Sequence, residues 1–159
     1  MEYRDIDNVV IRGAKLKFRN FAGKEKTYNR EGDRNFAVVI DDEEVALKMI
    51  EDGWNVKVRT PEEEGDKPEY TIQVAIGYKI KPPVITMLTN NSKKKTALDE
   101  DELHILDYAE IVEANVAIRP YQWNTSGKSG IKAYLKTLYV VIEEDEFADE
   151  FDDYENAPF

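Results

Sequence analysis

Two stretches late in the chain, "EIVEANVAIRPYQW" (residues 110–123) and "GIKAYLKTLYVVI" (130–142), constrain the fold most. Each alternates apolar and polar residues over more than ten positions, the period of a half-buried strand and not of a helix. "NTSGKSG" joins them with the Asn and Gly content of a hairpin turn. A pair of strands this long needs further strands to cover its apolar side, and the remaining sequence supplies them. "NVVIRGAKLKFRNF" reads as two short strands bent at Gly13. In the second, Ala14, Leu16 and Phe18 face inward, while Lys15, Lys17 and Arg19, with Phe21 on the same parity, face outward. "NFAVVI", "WNVKVRT", "EYTIQVAIGYKI" and "VITMLT" continue the pattern, with Trp54, Val56 and Val58 inward and Lys57 and Arg59 outward.

Helices are few. "DDEEVALKMIEDG" combines an N-cap at Asp41, Glu44 three residues later and a C-cap at Gly53, with Val45, Ala46, Met49 and Ile50 as its packed face. A second, short helix is predicted over 99–109, capped by Asp99 and Glu102. No βαβ alternation extends through the chain, which argues against a doubly wound sheet. The expected fold is mostly β: an OB-fold-like small Greek-key barrel with one or two short helices over residues 1–142, with a sandwich as the alternative.

Residues 143–159, "EEDEFADEFDDYENAPF", form a second unit. Nine of the seventeen are Asp or Glu and none is basic, so like-charge repulsion predicts a disordered tail. A solvating tail needs no aromatics, yet Phe147, Phe151, Tyr154 and Phe159 are interspersed, which marks it as a segment that binds something. The net charge of −11 is therefore misleading: without those nine acids the body carries 22 basic against 24 acidic residues. Residues 1–34 hold nine basic and six acidic residues, a locally positive sector. Nucleic acid stays open as a partner, because binding follows the local field.

Other classes find little support. There is no Cys, so disulfides and thiolate metal sites are excluded. The opening "MEYRDIDNVV" lacks a signal-peptide pattern, and the longest apolar run, Leu138–Ile142, is too short to span a membrane. The one histidine, His104, is read as structural or surface. "GKSG" lacks the upstream glycine and following helix of a phosphate loop. No cofactor is expected and the chain is not expected to be an enzyme. A metal-dependent nuclease built on the acidic clusters is a third-rank reading.

The positive signal is basic residues interleaved with aromatics on strands. Arg119, Tyr121 and Trp123 share parity on one long strand, and Lys132, Tyr134 and Lys136 share it on the other, with Lys128 at the tip. Pro120 makes the first alignment conditional on an edge position or a bulge. Lys15, Lys17 and Arg19, the pair Lys57 and Arg59, and the basic loop containing Lys24, Lys26, Tyr28, Arg30 and Arg34 extend the pattern. Cations that balance phosphates beside rings that stack on unpaired bases are the two requirements for holding single-stranded nucleic acid. The alternative is a protein-interaction or decoy module whose acidic tail mimics nucleic acid.

"DDYENAPF" resembles the acidic C-terminal tip of bacterial single-stranded DNA-binding proteins. Asp152 and Asp153 match its acids, and Ala157, Pro158 and Phe159 match its closing tripeptide, whereas Tyr154, Glu155 and Asn156 depart from it. The body stretches "FRNFAGKEKTYNREGDRNFAV", "EDGWNVK" and "IRPYQWNTSGKSGIKAYLKTLYVVIEEDE" resemble a family of phage-encoded single-stranded DNA-binding proteins. That resemblance implies an OB-fold core, binding without strong sequence preference in phage replication or recombination, and a cytoplasmic location in an infected bacterial host. It further implies a tail that recruits replication proteins such as a polymerase, helicase or primase. A homodimer bridged by the tail is compatible with the same pattern.

Overall fold

The computed structural model describes residues 4–144. Nine strands among them form one hydrogen-bonded sheet: β1 (Val9–Ile11), β2 (Lys15–Asn20), β3 (Arg34–Val39), β4 (Val56–Arg59), β5 (Glu69–Ile76), β6 (Val84–Thr89), β7 (Lys95–Ala97), β8 (Ile111–Thr125) and β9 (Lys128–Ile142). The main path runs β1-β8-β9-β5-β3-β2, with β4 branching from β5, and β6 from β9. The long hairpin β8–β9 is its axis. β9 carries β8 along one side and, on the other, pairs in parallel with β5 at Val74↔Ala133 and Ala75↔Tyr134, then with β6 from Thr137 to Ile142.

The sheet is not closed into a barrel, which corrects the Greek-key barrel expected from the sequence, and the strands do not divide into the two sheets of a sandwich. The path starts on β1 and stops on β2 with no ladder between β2 and β8. One backbone bond, Ala14 N–H to the Ala114 carbonyl at 2.7 Å, ties the entry of β2 to β8. Beyond it the two strands part around a cleft lined by Leu16, Arg19, Ile111 and Val112. Both facing edges are irregular: the register slips between Lys17 and Asn20 on β2 and between Ile111 and Glu113 on β8. An extra residue bends a strand and interrupts its pairing, so these edges cannot zip together. Arg19 spans the opening instead, donating to the Leu106 and Ala109 carbonyls at 2.8 and 2.7 Å.

The core lies on one face of this sheet. Val38, Phe36, Ile72, Val74, Ala133, Ile131, Leu135, Ile118 and Val116 are buried there, with Leu98, Leu103 and Leu106 closing over them. Phe21, expected outward, is fully buried and stacks on Phe36 at 5.1 Å between ring centroids. Such a pair adds about 0.5–1.5 kcal/mol beyond its burial.

Helix α1 (Glu43–Asp52) is capped by Asp42, one residue later than predicted, whose carboxylate accepts from the Glu44 and Val45 amides. It terminates at Gly53 with φ of 106°, a left-handed conformation that glycine adopts without a Cβ penalty. Ala46 and Met49 are its buried residues, while Val45 and Ile50 are exposed. The helix predicted over 99–109 is instead a 3-10 turn (Glu100–Glu102), with the Asp99–Glu102 capping box, followed by α2 (Ile105–Tyr108). No helix among the described residues is long and apolar enough to cross a membrane.

Candidate nucleic-acid interface

The β8–β9 register decides which side chains share a face. Arg119 stands opposite Tyr134, Tyr121 opposite Lys132, and Trp123 opposite Gly130. All project away from the core, because Ile131, Ala133 and Leu135 between them are buried. The Tyr121 and Tyr134 rings meet edge to face at 5.8 Å. Lys132 Nζ lies 5.1 Å and the Arg119 guanidinium carbon 5.8 Å from the Tyr134 ring centre, so two cations flank one aromatic ring. Pro120 is tolerated because β1 pairs with β8 only from Val116 to Ile118, leaving the edge free beyond it. Lys136 is the extra residue where Ala117 and Ile118 pair with Thr137 and Leu135. Past it the buried parity of β9 changes from odd to even, with Leu138 and Val140 inside.

The same face continues across the sheet. Asn35, Ala75, Tyr134 and Arg119 form one row over β3, β5, β9 and β8. Adjacent rows hold Lys17, Ala37 and Gln73, then Lys15, Val39, Thr71 and Lys57. A groove of about 590 Å³ opens on these rows, lined by Phe18, Lys26, Tyr28, Asn35, Lys57 and Gln73 among others. Phe18 belongs to it because of the β2 bulge: its φ of 51° is left-handed and its ring is 77% exposed. The inward placement expected for Phe18 is therefore wrong. Val58, also expected inward, is exposed on β4.

The basic loop between β2 and β3 is tied down from within. Asn20, buried at 3% exposure, donates to the Lys24 carbonyl and accepts from the Lys24 amide. Asn29 donates to the carbonyls of Lys24, Arg30 and Asp33. Lys26 and Asn29 exchange backbone hydrogen bonds, which leaves Thr27 and Tyr28 at the tip of a tight turn with Tyr28 fully exposed.

The cations marked in the sequence fall into two sets. Five are engaged by the fold, among them Arg119, which donates to the Lys81 carbonyl at 3.1 Å. Lys17 bonds both oxygens of Glu69 at 2.8 and 3.0 Å, and this hydrogen bond holds the Glu69 carboxyl below the ordinary carboxylate range. Arg19 bridges to the α2 carbonyls, Arg34 pairs with Glu100 at 2.8 Å, and Lys24 donates to the Tyr108 hydroxyl at 2.6 Å, which raises the Lys24 pKa. By contrast Lys15, Lys26, Arg30, Lys57, Arg59, Lys128, Lys132 and Lys136 are exposed and make no ion pair among the described residues. Sequence reasoning missed Phe18, Asn35 and Gln73; for Phe18 the available signal was its position between Lys17 and Arg19. Among the described residues, no three His, Cys, Asp or Glu side chains are grouped to hold a metal ion. The tail residues Phe147, Phe151, Asp152, Asp153, Tyr154, Pro158 and Phe159 lie outside the described residues.

A family model described as "Putative phage ssDNA-binding domain" matches residues 1–158. The chain belongs to this phage single-stranded DNA-binding family. Single-stranded DNA binding is the function that membership carries. No curated protein matches the sequence. Among solved structures, the fold is similar to the single-stranded DNA-binding protein from bacteriophage Enc34 in complex with ssDNA, at 12% identity and a TM-score of 0.55, covering 88% of this chain and 89% of that one. A second structure, described as the single-stranded DNA-binding protein from bacteriophage Enc34, matches at 12% identity and a TM-score of 0.53, covering 91% of this chain and 90% of that one. Its C-terminal truncation gives 12% identity and 0.52, covering 87% of each. At this identity the likeness is one of fold, and it extends over most of both chains.

Proposed function

We propose that the outward sheet face binds single-stranded DNA without strong base preference, protecting single strands during phage DNA replication or recombination. The observation that carries this reading is the β8–β9 register, which sets the exposed rings of Tyr121 and Trp123 among Arg119, Lys132 and Tyr134 on one face. Every base has a π-face, so stacking is indifferent to sequence, while the cations take the phosphates. A duplex keeps its bases stacked inside and offers these rings nothing. Binding of this kind involves no bond-making step, in keeping with a non-enzymatic role.

The acidic segment supplies regulation in the same reading. Glu143 donates its amide to the Glu110 carbonyl, and Glu144 is held by Asn90, Asn91 and Ser92, so the segment leaves the body at the end of β9 away from the hairpin tip. Fifteen further residues reach at most about 50 Å, and the twelve steps of β9 from Ile142 back to Gly130 cover about 40 Å. The polyanion can therefore return along the basic face and compete with DNA at high effective concentration. Once displaced, its aromatics, Phe159 above all, are free to anchor a replication partner such as a polymerase, helicase or primase.

The test is an equilibrium titration of oligo-dT and a duplex of equal length, at two salt concentrations, with the full chain and with a variant lacking 145–159. Oligo-dT should bind more tightly than duplex and lose affinity as salt rises. Deletion should strengthen binding at low salt, with the gain shrinking at high salt. Equal affinity for duplex would remove the single-strand reading, and unchanged binding after deletion would remove the competition. Deleting Phe159 alone should spare DNA binding and weaken capture of a candidate polymerase, helicase or primase.

A further inference from the structure

We infer that the groove between the bulged β2 and the 22–33 loop is a separate nucleobase site, holding one unstacked base between Phe18 and Tyr28. A strand bound to the hairpin rings is then anchored at a second point across the sheet. This rests on the single-strand reading above and adds a discrete pocket to it.

Two exposed aromatics define the groove, and neither serves the core. Phe18 is 77% and Tyr28 100% exposed. Both stand on backbone that the fold constrains. Phe18 is thrown outward by a left-handed backbone at a position where a regular strand would turn it inward. Non-glycine residues persist in that conformation only where the surroundings over-determine it, and such positions cluster at ligand sites. Tyr28 stands on the tight turn that Asn29 knots with three hydrogen bonds. A backbone fixed in this way loses little freedom on binding.

The remaining lining fits a nucleotide in particular. Its volume of about 590 Å³ lies within the usual range for small-ligand pockets. Ala37, Thr71 and Phe36 make a mostly apolar floor. Gln73 makes no side-chain hydrogen bond among the described residues, and the Asn35 amide oxygen is likewise open, so both can meet the edge of a base. Lys26 and Lys57 stand at the rim without ion pairs among the described residues. The groove is also continuous with the hairpin through the Asn35–Ala75–Tyr134 row. Arg119 on β8 and Asn35 on β3 are three strand spacings apart, about 14 Å. Trp123 lies on β8 four residues from Arg119, about 13 Å further along the strand. A strand following this path needs about eight nucleotides at a stacked rise of ~3.4 Å, and fewer if it is stretched.

The experiment titrates the full chain with oligo-dT of 2 to 12 nucleotides, some carrying 2-aminopurine at one end, and repeats it with Phe18→Ala, Tyr28→Ala and Trp123→Ala. Tyr28 packs on nothing, so its variant keeps the fold even where Phe18→Ala relaxes the bulge. Affinity should rise in a step as the oligonucleotide becomes long enough to reach both anchors. Tyr28→Ala should abolish the step, weaken binding of the 12-mer roughly 5- to 100-fold and relieve the 2-aminopurine quench. Wild-type affinity and quench in both groove variants, with Trp123→Ala weakened, would overturn the inference and leave the single-strand reading standing. Absence of oligo-dT binding by the unmodified chain would remove that reading itself. Tighter 12-mer binding by Phe18→Ala would mean that a ring of the acidic segment fills the groove, and would equally overturn the proposal.

Discussion

The Trp123 indole lies over Gly130, its partner across the β8–β9 ladder: a Cβ built on Gly130 would stand 2.8 Å from Trp123 Cζ2 and 3.1 Å from Nε1. Gly130 does not adopt a left-handed backbone, so its missing side chain serves the ring and not the chain direction. Glycine in a strand often marks such a close approach. Gly130→Ala should displace the indole while leaving the fold intact, weakening oligo-dT binding by about 1 kcal/mol or more. Fluorescence anisotropy beside a thermal melt checks this, and unchanged affinity would make the placement of Trp123 irrelevant to binding.

Lys132 and Lys17 should respond differently to the same substitution. Lys132 is exposed and makes no ion pair among the described residues, whereas Lys17 is neutralised by Glu69. For single strands each phosphate neutralised contributes about 0.7 to the slope of log affinity against log salt. Lys132→Ala should lower that slope by about this amount, and Lys17→Ala should leave it nearly unchanged. Titrations at four or five salt concentrations separate the two.

Arg19 should matter for stability and little for DNA. Its guanidinium donates to the Leu106 and Ala109 carbonyls, fastening α2 to β2 where the sheet stays open. Hydrogen bonds to a charged group are worth about 1.5–3 kcal/mol. Arg19→Met should lower the denaturation midpoint accordingly, and Arg19→Lys should restore little, because a point donor does not span two carbonyls as a fork does. Urea denaturation of both variants provides the check, with oligo-dT affinity expected to hold in the folded protein.

Acid sensitivity should trace in part to Glu69. The Lys17 hydrogen bond holds its folded pKa below the ordinary value of 4.5. A depressed carboxylate contributes stability that is present above its unfolded pKa and lost as pH falls through the folded one. The loss therefore belongs below about pH 4.5. Glu69→Gln should flatten the fall in stability below about pH 4.5, and denaturation series at several pH values would reveal an unaltered profile if the pair is inert.

What the sequence reveals here is set by the range of the interactions. Arg119, Tyr121 and Trp123 were assignable to one face because parity along a strand is local, and the facing Lys132 and Tyr134 followed from a short turn. Parity fails at a bulge, which is why Phe18 was placed inward and why Lys136 sits at a break in the pattern. Phe21 was misplaced for the same reason, being beyond the β2 irregularity. Barrel closure depends on edges almost a hundred residues apart, and no local period records whether they meet. The engagement of Lys17 by Glu69 and of Arg19 by Leu106 and Ala109 is also remote in the chain, so the basic stripe reads from sequence as more available than it is.

The most direct test uses Trp123 as its own reporter. The chain has two tryptophans, and Trp54 is buried at 4% exposure while Trp123 is at the surface. Oligo-dT is titrated into the unmodified chain and into Trp123→Phe, and the difference in emission isolates the surface indole. The account predicts a saturable quench in that difference with oligo-dT, reduced by salt, and none with a duplex of equal length. Binding of oligo-dT by anisotropy with no change in the Trp123 emission would contradict it, because the strand would then lie elsewhere on the molecule.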